Sequence, residues 1–245
     1  KRMAGMLVAE LKAALVRKDN SLLGVVMNVL LAWPDCCFRH ESVQHPRTRA
    51  MLYSQPPVFP ESEAAPKELE LLRICREEKA AGRRVLAYSI YTGTRDTTAR
   101  LKSQLEQAGL KVGVLRANVD AARREDWVAD QVERGIDVMI CNPELVKTGL
   151  ALLEFPTIVF MQSGFNVYTV QQAARRSWRI GQKLPVKVIF LGYKSTTQMD
   201  CRKLMGKKIA VSQSTSGDMP DSGLDVLNDA GDSLEVALAK QLLAL

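Results

Sequence analysis

Residues 85–115 read VLAYSIYTGTRDTTARLKSQLEQAGLKVGVL and decide the fold class of the chain. An apolar run at 85–90 is typical of a buried strand. Asp96 then stands where a helix N-cap is favoured. Three apolar residues share one face of that helix: Leu101, Leu105 and Ala108. Gly109 can end the helix, and a second apolar run follows at 112–115. The stretch therefore predicts a strand, a helix and a second strand.

The same alternation of strands and helices continues on both sides of this stretch. Upstream, Pro66 can open a helix that Gly82 ends. Downstream, Asp120 can cap a third helix that closes at Gly135. Further apolar strands are predicted at 136–141, 157–161 and 186–191. Apolar strands that alternate with helices predict an α/β domain with a parallel sheet and helices on both faces.

The chain divides into four predicted segments. Residues 1–53 contain two apolar-faced helices and are predicted to be a helical linker or insertion segment. Residues 54–66 hold four prolines and are predicted to be a linker, because proline disfavours helix interiors and central strands. The α/β domain follows at 67–210, where a Ser195–Gln198 capping box predicts its last helix. Residues 211–245 are predicted to be an acidic tail with a candidate terminal helix.

Composition sets few limits on function. The 245 residues carry a net charge of +7, which is a modest indication of a polyanionic partner. Five cysteines without a Cys-x-x-Cys pair favour reduced thiols and an intracellular protein. Four potential metal ligands cluster in the sequence: Cys36, Cys37, His40 and His45. Adjacent cysteines are poorly placed to bind one metal, so buried thiols are favoured and no metal site is predicted. No apolar run is long enough to predict a membrane span.

Residues 171–182 read QQAARRSWRIGQ and concentrate positive charge. Asn166 can cap a helix here and Gly181 can end it, which predicts a helix over 167–180. Arg176 and Arg179 are three residues apart, so both are predicted on one face of that helix. Guanidinium groups placed in this way suit the phosphates of a nucleotide. The same residues are also typical of a solvated basic helix end.

The pattern Gln172-x-x-x-Arg176-x-x-Arg179-Ile-Gly-Gln resembles the last signature motif of superfamily-two helicases and translocases. Its ending is most similar to that of the Swi/Snf-type ATPases. The resemblance implies the second, C-terminal RecA-like domain of a two-domain ATPase. It implies that Arg179 is the catalytic arginine finger, that Arg176 is its catalytic, phosphate-contacting neighbour and that Gln172 is a nucleotide-binding group. The family pattern has aspartate where Arg175 stands and histidine where Trp178 stands, so the chain is a divergent relative.

Three loops at the predicted carboxyl edge of the sheet resemble other motifs of the family. Ligands bind at this edge in such sheets. The resemblance assigns Gly149 to the nucleotide side, where glycine permits close approach. Small hydroxyl groups, basic side chains and backbone N–H groups can hold a sugar-phosphate backbone without reading sequence. The predicted nucleic-acid contacts are Ser89, Thr92, Arg116, Lys147 and Thr148. An ordinary strand-to-helix turn remains the alternative for the loop after the first strand.

Two motifs of the complete motor are missing from the sequence. It contains no Gly-x-x-x-x-Gly-Lys-Ser/Thr phosphate cradle and no Asp-Glu dipeptide. The resemblance therefore implies that ATP and Mg²⁺ are bound mainly by a missing N-terminal RecA-like domain of the same protein. The chain begins at Lys1 without an initiator methionine, so we expect it to be cut from a longer protein. On its own it is predicted to hydrolyse little ATP.

The resemblance implies an ATP-dependent helicase or translocase with DNA as the preferred partner and RNA as the near rival. We expect an intracellular protein, cytoplasmic if bacterial and nuclear if eukaryotic. The alternative is a non-enzymatic RecA-like module that binds nucleic acid or a protein partner, which the changes at Arg175 and Trp178 allow. A nucleotide-sugar or cofactor enzyme on a similar sheet would need a glycine-rich first turn, which the sequence lacks.

Overall fold

The computed structural model of the chain forms two compact units. It describes residues 2–146, 149–162, 164, 166–216, 237, 238 and 240. One unit is Ala64–Gly192, and the other combines Lys1–Glu63 with Tyr193–Leu245. The sequence instead predicted an α/β domain over 67–210, so the last predicted helix falls in the other unit.

The unit that contains the N-terminal residues begins with two helices. They are α1 (Arg2–Val16) and α2 (Leu22–Cys36), which are separated by the predicted break. Their shared core contains Leu7, Leu11, Leu22, Val26 and Leu30. An antiparallel hairpin follows, with strands β1 (Glu41–Gln44) and β2 (Met51–Gln55). The sequence analysis did not predict this hairpin, because both strands are short and no strong turn signal separates them.

The α/β unit contains the predicted parallel sheet. Its strands are β3 (Val85–Tyr88), β4 (Val112–Leu115), β5 (Val138–Cys141), β6 (Thr157–Phe160) and β7 (Lys187–Phe190). Their order is β4-β5-β3-β6-β7, and every neighbouring pair is parallel. All residues of β3, β5 and β6 are buried, as expected for strands covered on both faces. The predicted fold class, a RecA-like α/β sheet, is confirmed.

Four helices belong to the α/β unit; the first precedes β3 and the other three connect strands. They are α3 (Pro66–Ala80), α4 (Thr98–Gln107), α5 (Arg124–Glu133) and α6 (Val167–Ala174). Short 3-10 turns lie at Ala121–Arg123 and Pro143–Leu145. Pro66 opens α3 as predicted, and the Asp120 side chain caps the turn before α5 by accepting from the Ala122 N–H.

A seventh helix, α7 (Thr197–Ser216), belongs with the N-terminal residues. The Gln198 amide donates to the Leu31 carbonyl at 2.8 Å and to the Asp35 carboxylate at 2.7 Å. The predicted capping box does not form: the Gln198 side-chain oxygen accepts from the Tyr193 N–H at 3.4 Å, and Ser195 adopts a left-handed conformation (φ 56°). The helix also extends beyond its predicted end near 208. The acidic segment at 218–235 lies outside the described residues. Of the candidate terminal helix, positions 237, 238 and 240 are described, and they are helical.

Two buried carboxylates tie the helices of the α/β unit to its sheet and to each other. The Glu68 carboxylate accepts from the Ala65 N–H and, in a bidentate pair, from Arg100 of α4. At the amino edge of the sheet, the Glu78 carboxylate accepts from Arg83, Thr157 and Lys187. Both carboxylates therefore join segments far apart in sequence. No helix in the described part of the chain is long and apolar enough to cross a membrane.

Candidate functional site

The loops at the carboxyl edge of β3, β5 and β6 lie side by side. Because β3 pairs with β5 on one side and β6 on the other, its loop is contacted from both directions. A Cβ atom on Gly164, in the loop after β6, would lie 3.5 Å from Ile90 Cδ1. The predicted functional loops are thus brought together at one edge of the sheet.

Ser89 is fully buried at the start of the loop after β3. Its Oγ lies 3.1 Å from Thr97 Oγ1 and donates to Gln162 Oε1 at 3.1 Å. The same Gln162 oxygen accepts from the Ile90 N–H at 3.3 Å. Direct contact of Ser89 with a nucleic-acid backbone would require its hydroxyl to leave these partners, so we infer that Ser89 positions the loop.

Thr92, the second predicted contact of this loop, is half-buried and held from the side of β5. The Asn142 amide donates to Thr92 Oγ1 at 3.3 Å and lies 3.5 Å from the Ile90 carbonyl oxygen. The Asn142 side-chain oxygen accepts from the Glu144 N–H at 3.0 Å. Asn142 therefore fixes the loop after β3 and the turn after β5 together.

Arg116 lies at the carboxyl end of β4 and is exposed. It pairs with Asp96 at 2.9 Å and donates to Thr98 Oγ1 at 3.0 Å. Burial raises the pKa of Asp96, but hydrogen bonds from Thr98 and Arg116 outweigh it and lower that pKa. The carboxylate thus remains charged and holds the guanidinium at the start of α4, where a phosphate could compete for it.

The loop after β5 contains the remaining predicted polymer contacts. Lys147 and Thr148 lie outside the described residues. Gly149 is exposed and has φ +81°, a left-handed conformation that glycine adopts without strain. Arg124 of α5 donates to the Leu145 carbonyl at 2.9 Å and so supports this loop.

The helix before the arginines is shorter than predicted. Asn166 caps α6 as expected by accepting from the Thr169 N–H at 3.0 Å, but α6 ends at Ala174 instead of 180. Other donors take the carbonyls that would continue the helix. The Tyr88 hydroxyl donates to the Ala173 carbonyl, and the Leu152 N–H donates to the Arg176 carbonyl. The chain therefore turns at Arg175, and Gly181 (φ +99°) lies well beyond the helix end.

The prediction that Arg176 and Arg179 share a helical face is wrong because both follow the end of α6. Arg176 is buried, with 4% of its surface exposed, whereas Arg179 is exposed. Burial and the nearby charge of Arg179 lower the pKa of Arg176. Gln172 Oε1 accepts from the Arg176 guanidinium at 3.5 Å. The site thus has the exposed guanidinium of Arg179 near the buried guanidinium of Arg176, and Gln172 is hydrogen-bonded to Arg176.

The segment that carries Arg179 is fastened to the loop after β5. The Gln182 amide donates to the carbonyls of Leu153 and Ser177 at 2.9 and 3.0 Å. On either side of Arg179, Trp178 is 69% exposed and Ile180 is fully exposed. This segment thus presents a cation between two apolar side chains on a fixed backbone.

Several residues that organise the site were not predicted from the sequence. Glu144 accepts from the Thr169 hydroxyl at 2.6 Å and so joins the turn after β5 to α6. Gln162 and Asn142 bridge neighbouring loops in the same way. Both are polar residues within two positions of the end of a buried strand, and that signal could have identified them.

No arrangement of metal ligands stands out in the described part of the chain. All five cysteines are free thiols, and four of them are buried. Among the described residues, no group of three or more His, Cys, Asp or Glu side chains is placed to hold a metal ion.

A parallel sheet in the order β4-β5-β3-β6-β7, with helices between its strands, is a RecA-like fold. The C-terminal part of the Fun30 ATPase domain has this fold: the superposition has a TM-score of 0.55 and covers 73% of this chain and 52% of that one, at 19% identity. No protein-family model matches the chain.

Two curated relatives match in sequence. The chromatin-remodeling ATPase INO80 of Emericella nidulans is 27% identical over 218 residues, which cover 80% of this chain. The chromodomain-helicase-DNA-binding protein 1-like of Danio rerio is 25% identical over 223 residues, which cover 90% of this chain. The matches span 13% and 21% of the relatives' lengths. The predicted resemblance to the C-terminal RecA-like domain of Swi/Snf-type ATPases is confirmed.

Proposed function

We propose that the chain is the C-terminal RecA-like part of an ATP-dependent nucleic-acid translocase or helicase. The observation that carries the proposal is the exposed Arg179, which follows α6 of a RecA-like sheet on a segment that Gln182 bonds to Leu153. The names of the two relatives, a chromatin-remodeling ATPase and a helicase-DNA-binding protein, support the same class of activity and favour DNA as the track.

In this proposal, ATP and Mg²⁺ are held mainly by a preceding RecA-like domain of the parent protein. Arg179 reaches the nucleotide phosphates when the two domains close. A guanidinium there stabilises the negative charge that develops during phosphoryl transfer. Buried Arg176 adds positive potential behind Arg179, and Gln172 orients the Arg176 guanidinium. Gly149 lets the loop after β5 approach the nucleotide side.

The nucleic-acid backbone is held by the loops at the carboxyl edge of the sheet. Thr92 and Arg116 contribute a hydroxyl and a cation, and Lys147 and Thr148 add the contacts that the family resemblance assigns. Contacts of this kind bind phosphate and sugar without reading sequence, which suits movement along a polymer. RNA offers the same backbone phosphates, so it is the rival track. The protein is proposed to act in the nucleus of a eukaryote or in the cytoplasm of a bacterium.

The ATPase rate of the full-length parent protein tests this proposal. It should be measured without polymer and with duplex DNA, single-stranded DNA or RNA. Arg179→Ala should lower the polymer-stimulated rate on the order of a thousandfold, because removal of an arginine finger has an effect of that size.

Arg175→Ala provides the matched control for this experiment. Arg175 is also exposed and belongs to the same segment, but it has no counterpart in the family's arginine pattern. Its variant should keep the rate within about threefold, since a surface substitution changes little. An Arg179→Ala variant that turns over ATP as fast as Arg175→Ala would refute the assignment of the finger.

A non-enzymatic binding module is the second candidate. The burial of Arg176 favours it, because a buried guanidinium is less able to meet a nucleotide phosphate. Arg175 and Trp178, which depart from the family pattern, lie in the same segment. This candidate predicts polymer binding with the same affinity in the presence and absence of ATP, and no turnover by the parent protein with any polymer.

A further inference from the structure

Gln162 is a buried polar residue that none of the proposed contacts with nucleotide or polymer uses. It lies two residues after the end of β6, and 7% of its surface is exposed. Its Oε1 accepts two hydrogen bonds from the loop after β3, one from the Ser89 hydroxyl and one from the Ile90 N–H. One oxygen atom therefore connects two functional loops.

The two loops are also packed together on the side of Gln162. Ile90 lies within van der Waals distance of the position that a side chain on Gly164 would occupy. The Ser89 hydroxyl that reaches Gln162 also contacts Thr97, the N-cap residue of α4. If the loop after β3 moves, its hydrogen bonds to Gln162 must either break or pull the loop after β6 with it.

The chain after Gln162 continues through α6 to the arginine segment, which we define as residues 175–182. Four positions later, Asn166 caps α6, and the arginines follow the last turn of that helix. A parallel connection runs on the other side of β3, from Thr92 through Asn142 and Glu144 to Thr169 of α6. Both connections begin at the loop proposed to bind the polymer and end at the helix before Arg179.

We propose that Gln162 is a positioning residue that couples polymer binding at the loop after β3 to the placement of Arg179. This inference rests on the proposed function, because polymer-stimulated ATP hydrolysis is the property that is coupled. Polymer bound at Thr92 shifts the loop, and the two hydrogen bonds at Gln162 carry that shift to the entry of α6. Without these two hydrogen bonds, the polymer still binds, but its binding no longer moves the arginine segment.

The stimulation ratio of the full-length parent protein tests the inference. It is the ATPase kcat at saturating polymer divided by kcat without polymer. Gln162→Leu removes the acceptor and should lower the ratio about fivefold or more, the range expected when a coupling between sites is lost. Gln162→Glu keeps an acceptor oxygen at the same position and should retain most of the ratio. Gln162→Met is measured in parallel because it keeps the unbranched shape of glutamine.

Thr157→Val is the matched control, since Thr157 is a buried polar residue at the opposite end of β6. It should lower the melting temperature and leave the ratio unchanged. A purely structural role of Gln162 would reduce both rates together, and an unchanged ratio in Gln162→Leu or Gln162→Met would overturn the coupling. Absence of stimulation in the wild-type protein would instead overturn the proposed function.

Discussion

At the scale of single residues, Glu78 shows how one carboxylate secures the amino edge of the sheet. Burial raises its pKa, but hydrogen bonds from Lys187, Thr157 and Arg83 outweigh burial and lower the pKa from 4.5 to about 2. A carboxyl group whose pKa is lower in the folded state stabilises the fold above its unfolded pKa. That contribution is lost as the pH falls from about 4.5 towards 2.

Glu78→Gln should therefore lower the free energy of unfolding at pH 7 by about 3 kcal/mol, because it leaves the largely buried guanidinium of Arg83 without its counter-charge. It should also reduce the loss of stability between pH 4.5 and pH 2. Urea denaturation across that range measures both effects. Glu77→Gln is the control, since Glu77 is mostly exposed and its variant should change stability by less than about 0.5 kcal/mol. Parallel pH curves for wild type and Glu78→Gln would contradict this role.

The same scale shows what the sequence could predict of the candidate site. It identified Arg179 and Arg176 from their spacing, but it could not predict that one is buried and the other exposed. That difference depends on Tyr88 and Leu152, which reach the arginine segment from elsewhere in the chain. The burial of Ser89 likewise depends on Gln162, which is 73 residues away.

At the scale of elements, α6 shows how tertiary contacts set the end of a helix. Local sequence offered a good cap at Asn166 and a good stop at Gly181, and the cap was confirmed. The helix ended early because Tyr88 bonds the carbonyl of Ala173 in its last turn and Leu152 bonds the carbonyl of Arg176 just beyond it. Strands and glycine-terminated helices were easier to predict, since their signals lie within the element itself.

Gln182→Ala should weaken the segment that α6 leads into. The variant leaves the carbonyls of Leu153 and Ser177 without their side-chain donor, which should lower the free energy of unfolding by about 1–3 kcal/mol. It should also lower the ATPase rate of the parent protein, because Arg179 is no longer held. Gln107→Ala, at an exposed site on α4, should change neither property. Full ATPase activity in a destabilised Gln182→Ala protein would separate Gln182 from the placement of Arg179.

At the scale of the whole molecule, the division into two units differs from the predicted domain boundaries. The sequence extended the α/β domain to 210 because helices and strands alternate up to that point. It could not show that Gln198 is bonded to Leu31 and Asp35, since these partners are more than 160 residues away. The alternation predicts element types, whereas long-range hydrogen bonds decide which unit a helix joins.

A fragment of residues 64–192 should fold on its own, because the five-stranded sheet and both buried carboxylate clusters lie within it. Cooperative urea unfolding monitored by circular dichroism measures this. A fragment of residues 64–210 is the comparison, and it should have the same free energy of unfolding within about 0.5 kcal/mol. A large gain from residues 193–210 would instead favour the boundary predicted from the sequence.

The exposed Trp178 lets intrinsic fluorescence report on the arginine segment. The chain has three tryptophans; Trp33 and Trp127 are half-buried, whereas Trp178 is mostly exposed next to Arg179. Its indole emission should be red-shifted and readily quenched by acrylamide in the open protein. If a nucleotide-holding domain covers Arg179 as proposed, the same indole should be shielded, its emission should move to the blue and quenching should fall. The chain thus carries an intrinsic fluorophore at the surface where closure is proposed, and stopped-flow fluorescence can time each closing step without a label.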